Sequence, residues 1–171
     1  MKKPIIVYGS IAGLVIIVVN ALSIELGVGQ AWLGFLVMFI AFSSIFFAVK
    51  QYRDEILGGV IRFGTGFWLG LGITAVASLV YVLVWEAYLA LTDYAFIDAY
   101  IQSIIDVRRA SGASEADLAA AIAETEIIRA QYANPLFRLP MTFVEVFPVG
   151  LLISLISAFT LKDSKNLPTE S

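Results

Sequence analysis

Cysteine and histidine are both missing from the 171 residues of this chain. Their absence excludes thiolate and imidazole metal sites, haem ligation by either group, cysteine nucleophiles and every histidine-based triad. It also removes disulfides as a guide to compartment. Charge is scarce: 15% of residues are charged, against about a quarter in a soluble domain. Lysine occurs at only five positions, Lys2, Lys3, Lys50, Lys162 and Lys165. No HExxH pattern is present, and the glycines around Gly58, Gly59, Gly64 and Gly66 lack both a preceding strand and the lysine-serine or lysine-threonine ending of a phosphate-cradling loop. No metal, cofactor or nucleic-acid partner is expected.

What the chain has is apolar length. Hydrophobic residues make up 60% of it, and four runs, 4–22, 31–49, 67–91 and 140–161, each reach the roughly 20 residues that cross about 30 Å of hydrocarbon. They are apolar on all sides rather than alternating, which excludes barrel strands. The expected fold is all-α, an integral membrane protein with four transmembrane helices. The first run is too long for the core of a signal peptide and is read as a retained anchor. Lys2, Lys3, Lys50, Arg53, Arg62, Lys162 and Lys165 flank the runs on one side. By the positive-inside rule both termini then face the cytoplasm.

The connection at 92–134 has internal order. Ile97, Tyr100, Ile101, Ile104 and Ile105 recur at helical spacing, and Leu118, Ala121, Ile122, Thr125, Ile128 and Tyr132 do so again. Between them Ser114 is placed to cap a new helix, with Glu115 and Asp117 in its first turn. Asn134-Pro135 ends that helix, because proline biases its predecessor away from helical geometry. An extracytoplasmic helical hairpin is expected, serving as a cap, a layer on the lipid surface, or a docking module. Gly66 and Gly70 make a small-residue face for close helix packing. Trp32, Trp68, Trp85, Tyr88 and Tyr94 fall where aromatic belts are expected.

Two carboxylates stand out. Glu86 lies near the outer end of the third run and Glu145 near the start of the fourth, each about 8 Å inside the boundary by helical rise. Ionisable groups at that depth face the bundle interior, pair, or mark an ion or proton site. If they touched they would titrate as a coupled pair. Asn20, Glu25, Tyr88, Arg138 and Thr142 are the polar groups expected to support such a site, and Arg138 or Tyr88 is also able to satisfy a glutamate singly. Pro148, which removes a backbone donor, is expected to bend the fourth run.

The segments YRDEILGG, VYVLVWE, ASGASEADLAAAIAE and NPLFRLPMTFVEVFPVGLLISLISA, read in order, resemble the bacterial domain-of-unknown-function family numbered 4199, over essentially the whole chain. The resemblance implies a small polytopic protein of the cytoplasmic membrane with no established activity, and it marks the blocks around Glu86 and Glu145 as characteristic. The expected function is a non-enzymatic binding or assembly component of the cell envelope. Its partners would be the lipid bilayer and, through 92–134, a second copy or another envelope protein. The alternative is a small transporter or channel-like protein with Glu86 and Glu145 in a proton or cation site. A membrane enzyme using paired carboxylates ranks last, since every lysine lies far from both.

Overall fold

A computed structural model describes residues 1–26 and 31–162. Among these described residues seven α-helices follow one another: α1 (Lys2–Glu25), α2 (Ala31–Phe42), α3 (Ser44–Gln51), α4 (Phe63–Leu91), α5 (Ala95–Ala110), α6 (Glu115–Ala133) and α7 (Pro135–Leu161). Four stretches, Lys2–Glu25, Trp32–Ile56, Phe63–Leu91 and Pro135–Leu161, are long and apolar enough to cross a membrane. The chain is a four-span, all-helical membrane protein. The connection between the first two spans falls partly, and the tail with Lys165 wholly, outside the described residues.

Element ends differ from the sequence reading for identifiable reasons. The second span pauses at Ser43, where the Ser43 hydroxyl donates to the Phe39 carbonyl at 2.8 Å and that of Ser44 to Ala41 at 2.6 Å. Hydroxyls that return to the preceding turn compete with the helical ladder. The polar segment after it is a loop only from Leu57 to Arg62; its first part is helical. It continues through α3 into a π-helical turn, Tyr52–Ile56, with the Gln51 amide donating to Glu55 one turn on. Gly58 and Gly59 stop it at φ 71° and 98°, a region that costs other L-residues about 1–2 kcal/mol each.

The fourth span begins at Pro135 rather than Pro140. Asn134 does more than end α6: its side-chain Oδ1 accepts from the Leu136 backbone N–H at 3.0 Å, while Pro135 takes the first helical position, where no donor is needed. One residue thus closes α6 and opens α7. The helix then runs without interruption through Pro140 and Pro148.

The residues form two compact units, one from Met1–Val84 with Phe143–Ser171 and the other from Trp85–Thr142. In the first, small residues let helices approach closely. A side chain added at Gly13 would meet the Ala77 carbonyl at 2.5 Å, one at Gly70 would meet the Ser154 hydroxyl at 2.8 Å, and one at Gly150 would meet Thr74. Without a hydrophobic force between helices in lipid, such close backbone packing is the main adhesion. The buried Thr74 and Ser154 hydroxyls lie 3.1 Å apart, each also within reach of a carbonyl of its own helix, at Gly70 and Gly150, so one donates to the other while its partner donates to the backbone. The last carbonyl of α7, at Leu161, accepts from Arg53 at 3.5 Å.

In the second unit α5 and α6 form the expected hairpin. Ile97 and Ile101 of α5 are buried, as are Ala121 and Thr125 of α6. Tyr100 and Ile122, placed on the inner stripes by their spacing, are instead substantially exposed. Ser114 caps α6 as expected: its Oγ accepts from the Asp117 N–H at 3.2 Å and donates to the Asp117 carboxylate at 2.7 Å. Arg129 pairs with Asp98 across the hairpin.

Candidate functional site

Glu86 sits near the C-terminal end of α4 and Arg138 near the N-terminal end of α7. Each charge is at the unfavourable end of its own helix dipole, the anion by the carbonyls and the cation by the N–H groups. Together they cancel that cost. The Arg138 guanidinium reaches Glu86 side-on through one edge, Nε to Oε1 at 2.7 Å and Nη2 to Oε2 at 2.6 Å. This parallel fork is the strongest and most directional form of ion pair available to side chains.

A second set of contacts completes the guanidinium. Nη1 donates to the Tyr132 carbonyl at 2.7 Å, which ties the end of α6 to the pair. The Tyr94 and Tyr132 rings lie 5.2 and 5.7 Å from the guanidinium carbon, within cation–π range. Arg138 is 2% exposed, so its charge is fully committed to these groups.

Backbone strain positions one of the rings. Asp93 and Tyr94 follow α4 in consecutive left-handed conformations, φ 50° and 60°, and the Tyr94 N–H donates to the Leu89 carbonyl at 2.8 Å. Two such non-glycine residues in succession cost energy that surrounding contacts must offset. Here the reversal delivers Tyr94 to Arg138 and starts α5. Trp85 donates from its indole N–H to the Tyr132 hydroxyl at 2.9 Å. Its ring stacks on Tyr88 and meets Phe96 edge-on, with centroids 5.3 and 4.9 Å apart.

Of the residues singled out by sequence, the structure brings Glu86 and Arg138 into direct contact. Thr142 lies one turn beyond, its hydroxyl donating to the Arg138 carbonyl at 2.9 Å, and Tyr88 belongs to the aromatic stack. Asn20, Glu25 and Glu145 belong to the other unit. An added Cβ on Gly34 would lie 3.5 Å from Asn20 Oδ1, so Asn20 faces α2. Glu25 is the exposed last residue of α1. Glu145 is exposed on α7 among Met141, Val144, Pro148 and Leu152, and among the described residues no hydrogen bond or ion pair reaches it.

Tyr132, which gives Arg138 both a carbonyl and a ring and receives the Trp85 bond, was read from the sequence only as the last member of a hydrophobic stripe. Its polar tip was the available signal, because a tyrosine hydroxyl with a buried body needs a partner. Among the described residues no group of three or more acidic side chains is placed to hold a metal ion. The arrangement is suited to holding three chain segments together rather than to acid–base chemistry, since neither charge is left available.

A family model described as a protein of unknown function (DUF4199) covers residues 7–163, while no curated protein and no solved structure matches.

Proposed function

The chain belongs to this family of unknown function, and from that premise we propose that it is a non-enzymatic assembly or binding component of a bacterial cytoplasmic membrane that engages its partner through the 92–134 hairpin. Both termini lie in the cytoplasm in this reading, which rests on the basic residues that flank the spans. The observation that carries it is the Glu86–Arg138 fork with its third bond to Tyr132. A buried ion pair is a poor source of net stability but a good source of unique geometry, and here it fixes the base of the hairpin to the ends of two spans.

The hairpin it holds is acidic. Residues 93–134 carry seven carboxylates and three arginines. Such a surface steers basic partners toward it and repels acidic ones. A basic periplasmic segment of another envelope protein fits this charge better than a second copy of the same hairpin does.

The test is photo-crosslinking in cells from a reactive side chain at Asp106 or Glu124. One discrete adduct is expected, weakened when Arg138→Gln loosens the hairpin. Absence of any adduct from both positions, in protein that is correctly inserted, would sink the proposal.

One observation favours a second reading, in which the chain takes up a proton or cation at the membrane. Glu145 has no ion-pair partner among the described residues. A route onward is poorly supported, because the Thr74 and Ser154 hydroxyls are committed to each other and to backbone carbonyls. Proteoliposome flux decides it: equal flux for the native protein and Glu145→Gln removes this reading.

A further inference from the structure

The last two turns of α6 and the first turn of α7 enclose an open groove of about 500 Å³ lined by Glu126, Ile127, Ala130, Gln131, Asn134 and Phe137. Its floor is apolar and uncovered. Ile127 is 59% exposed, Phe137 40%, and the neighbouring Leu136 84%. These are not displaced core residues, because the α6 face that packs on α5 is a different one, carrying Ala121 and Thr125.

The place of the groove in the chain indicates what covers it. Phe137 and Leu136 stand on the first turn of a helix long and apolar enough to span a membrane, and only Asn134 separates that helix from α6. The exposed floor is therefore continuous with the lipid-facing surface of a span, at the level where hydrocarbon gives way to head groups. An apolar body with a polar rim is the composition such a level selects.

The rim is acidic and amidic. Glu126 supplies a carboxylate, with its Oε1 3.7 Å from Arg129 Nε, and Arg129 is itself engaged with Asp98. Gln131 and Asn134 supply amides, and Asn134 Oδ1 is already used by the Leu136 N–H. None of the six lining residues is basic. From the groove, its position and this rim we infer that it holds a phospholipid with an ammonium head group. The acyl chain lies on Ile127, Ala130 and Phe137, and the ammonium points to Glu126. Glu126 is shared with the acidic surface proposed for a protein partner, but the apolar floor of the groove is not, so lipid contact at Ile127 and Phe137 is read independently of any protein adduct.

The absence of native cysteine makes the test direct. Single substitutions Ile127→Cys, Phe137→Cys and, in the distant turn, Ser111→Cys replace exposed side chains. They are spin-labelled in full-length protein in nanodiscs containing equal phosphatidylethanolamine and phosphatidylglycerol. Oxygen collisions are expected to exceed those of a water-soluble nickel chelate at 127 and 137, with the reverse at 111. Equal nickel access at 127 and 111 would overturn the inference, and so would spin–spin broadening at 127, which would put a second copy in the groove. Native mass spectrometry of unlabelled protein from the same discs reads the head group. Retained phosphatidylethanolamine should exceed phosphatidylglycerol, and Glu126→Gln should lower that preference about two- to fivefold, the worth of an exposed ion pair. Equal retention of the two lipids by the native protein would also overturn it.

Discussion

Glu86 and Glu145 are the same residue type at comparable positions near span ends, yet their surroundings give them opposite weights. Glu86 answers a buried cation, so Glu86→Gln leaves the Arg138 charge without its counter-ion, at a cost of about 3–5 kcal/mol. Arg138→Gln should cost a similar amount, and replacing both with apolar side chains of similar volume should recover most of the loss. Glu145→Gln removes no contact within the described residues and should change stability by less than about 0.5 kcal/mol. Unfolding titrations in mixed micelles measure all four. If Glu145→Gln proved as damaging as Glu86→Gln, the assignment of the structural charge to Glu86 alone would fail. Both glutamates were conspicuous in the sequence, but their difference was not, because it depends on Arg138, 52 positions from Glu86, arriving on another helix.

Helices of this protein are held by what their residues omit as well as by what they contain. Gly150→Ala would place a methyl group 2.5 Å from Thr74 Cγ2, and such overpacking costs about 1–3 kcal/mol. Gly64 has nothing within 4 Å of an added Cβ, so Gly64→Ala should be neutral or stabilising by up to about 1 kcal/mol through helix propensity. The same unfolding assay separates them, and an equal loss for both would show that backbone conformation rather than packing is being read. At the hairpin, Ser114→Ala deletes the cap of α6 and should cost about 1 kcal/mol. Faster amide exchange in the first turn after Ser114, with α5 unchanged, is the signature.

Element existence was legible from spacing: the four apolar runs, the hairpin and the Ser114 cap follow from periodicity and from the chemistry of helix starts. Element ends were less so. Asn134-Pro135 reads equally as a stop for one helix and a start for the next, and it is both. The polar run after Val49 reads as a loop by composition. It is helical as far as Ile56, with the Gln51 and Glu55 side chains bonded one turn apart.

For the whole molecule, alternation of sides across four spans makes a sharp prediction. An impermeant thiol reagent should label Ser111→Cys in intact cells and Leu57→Cys only after the membrane is opened. The opposite pattern would invert the orientation proposed from the basic residues and would move the hairpin, the acidic surface and the lipid groove to the cytoplasmic side together.

Sequence by itself determined that this chain lives in a bilayer, how many times it crosses, and which chemistries it lacks. Those properties depend on local composition and on helical periodicity, which need no knowledge of neighbours. Only the tertiary structure decided that Glu86 is neutralised, that Tyr94 and Tyr132 enclose Arg138, and that an apolar groove lies where α6 meets α7. These are relations between distant segments, set by which helix ends meet, and a linear pattern carries no term for that meeting.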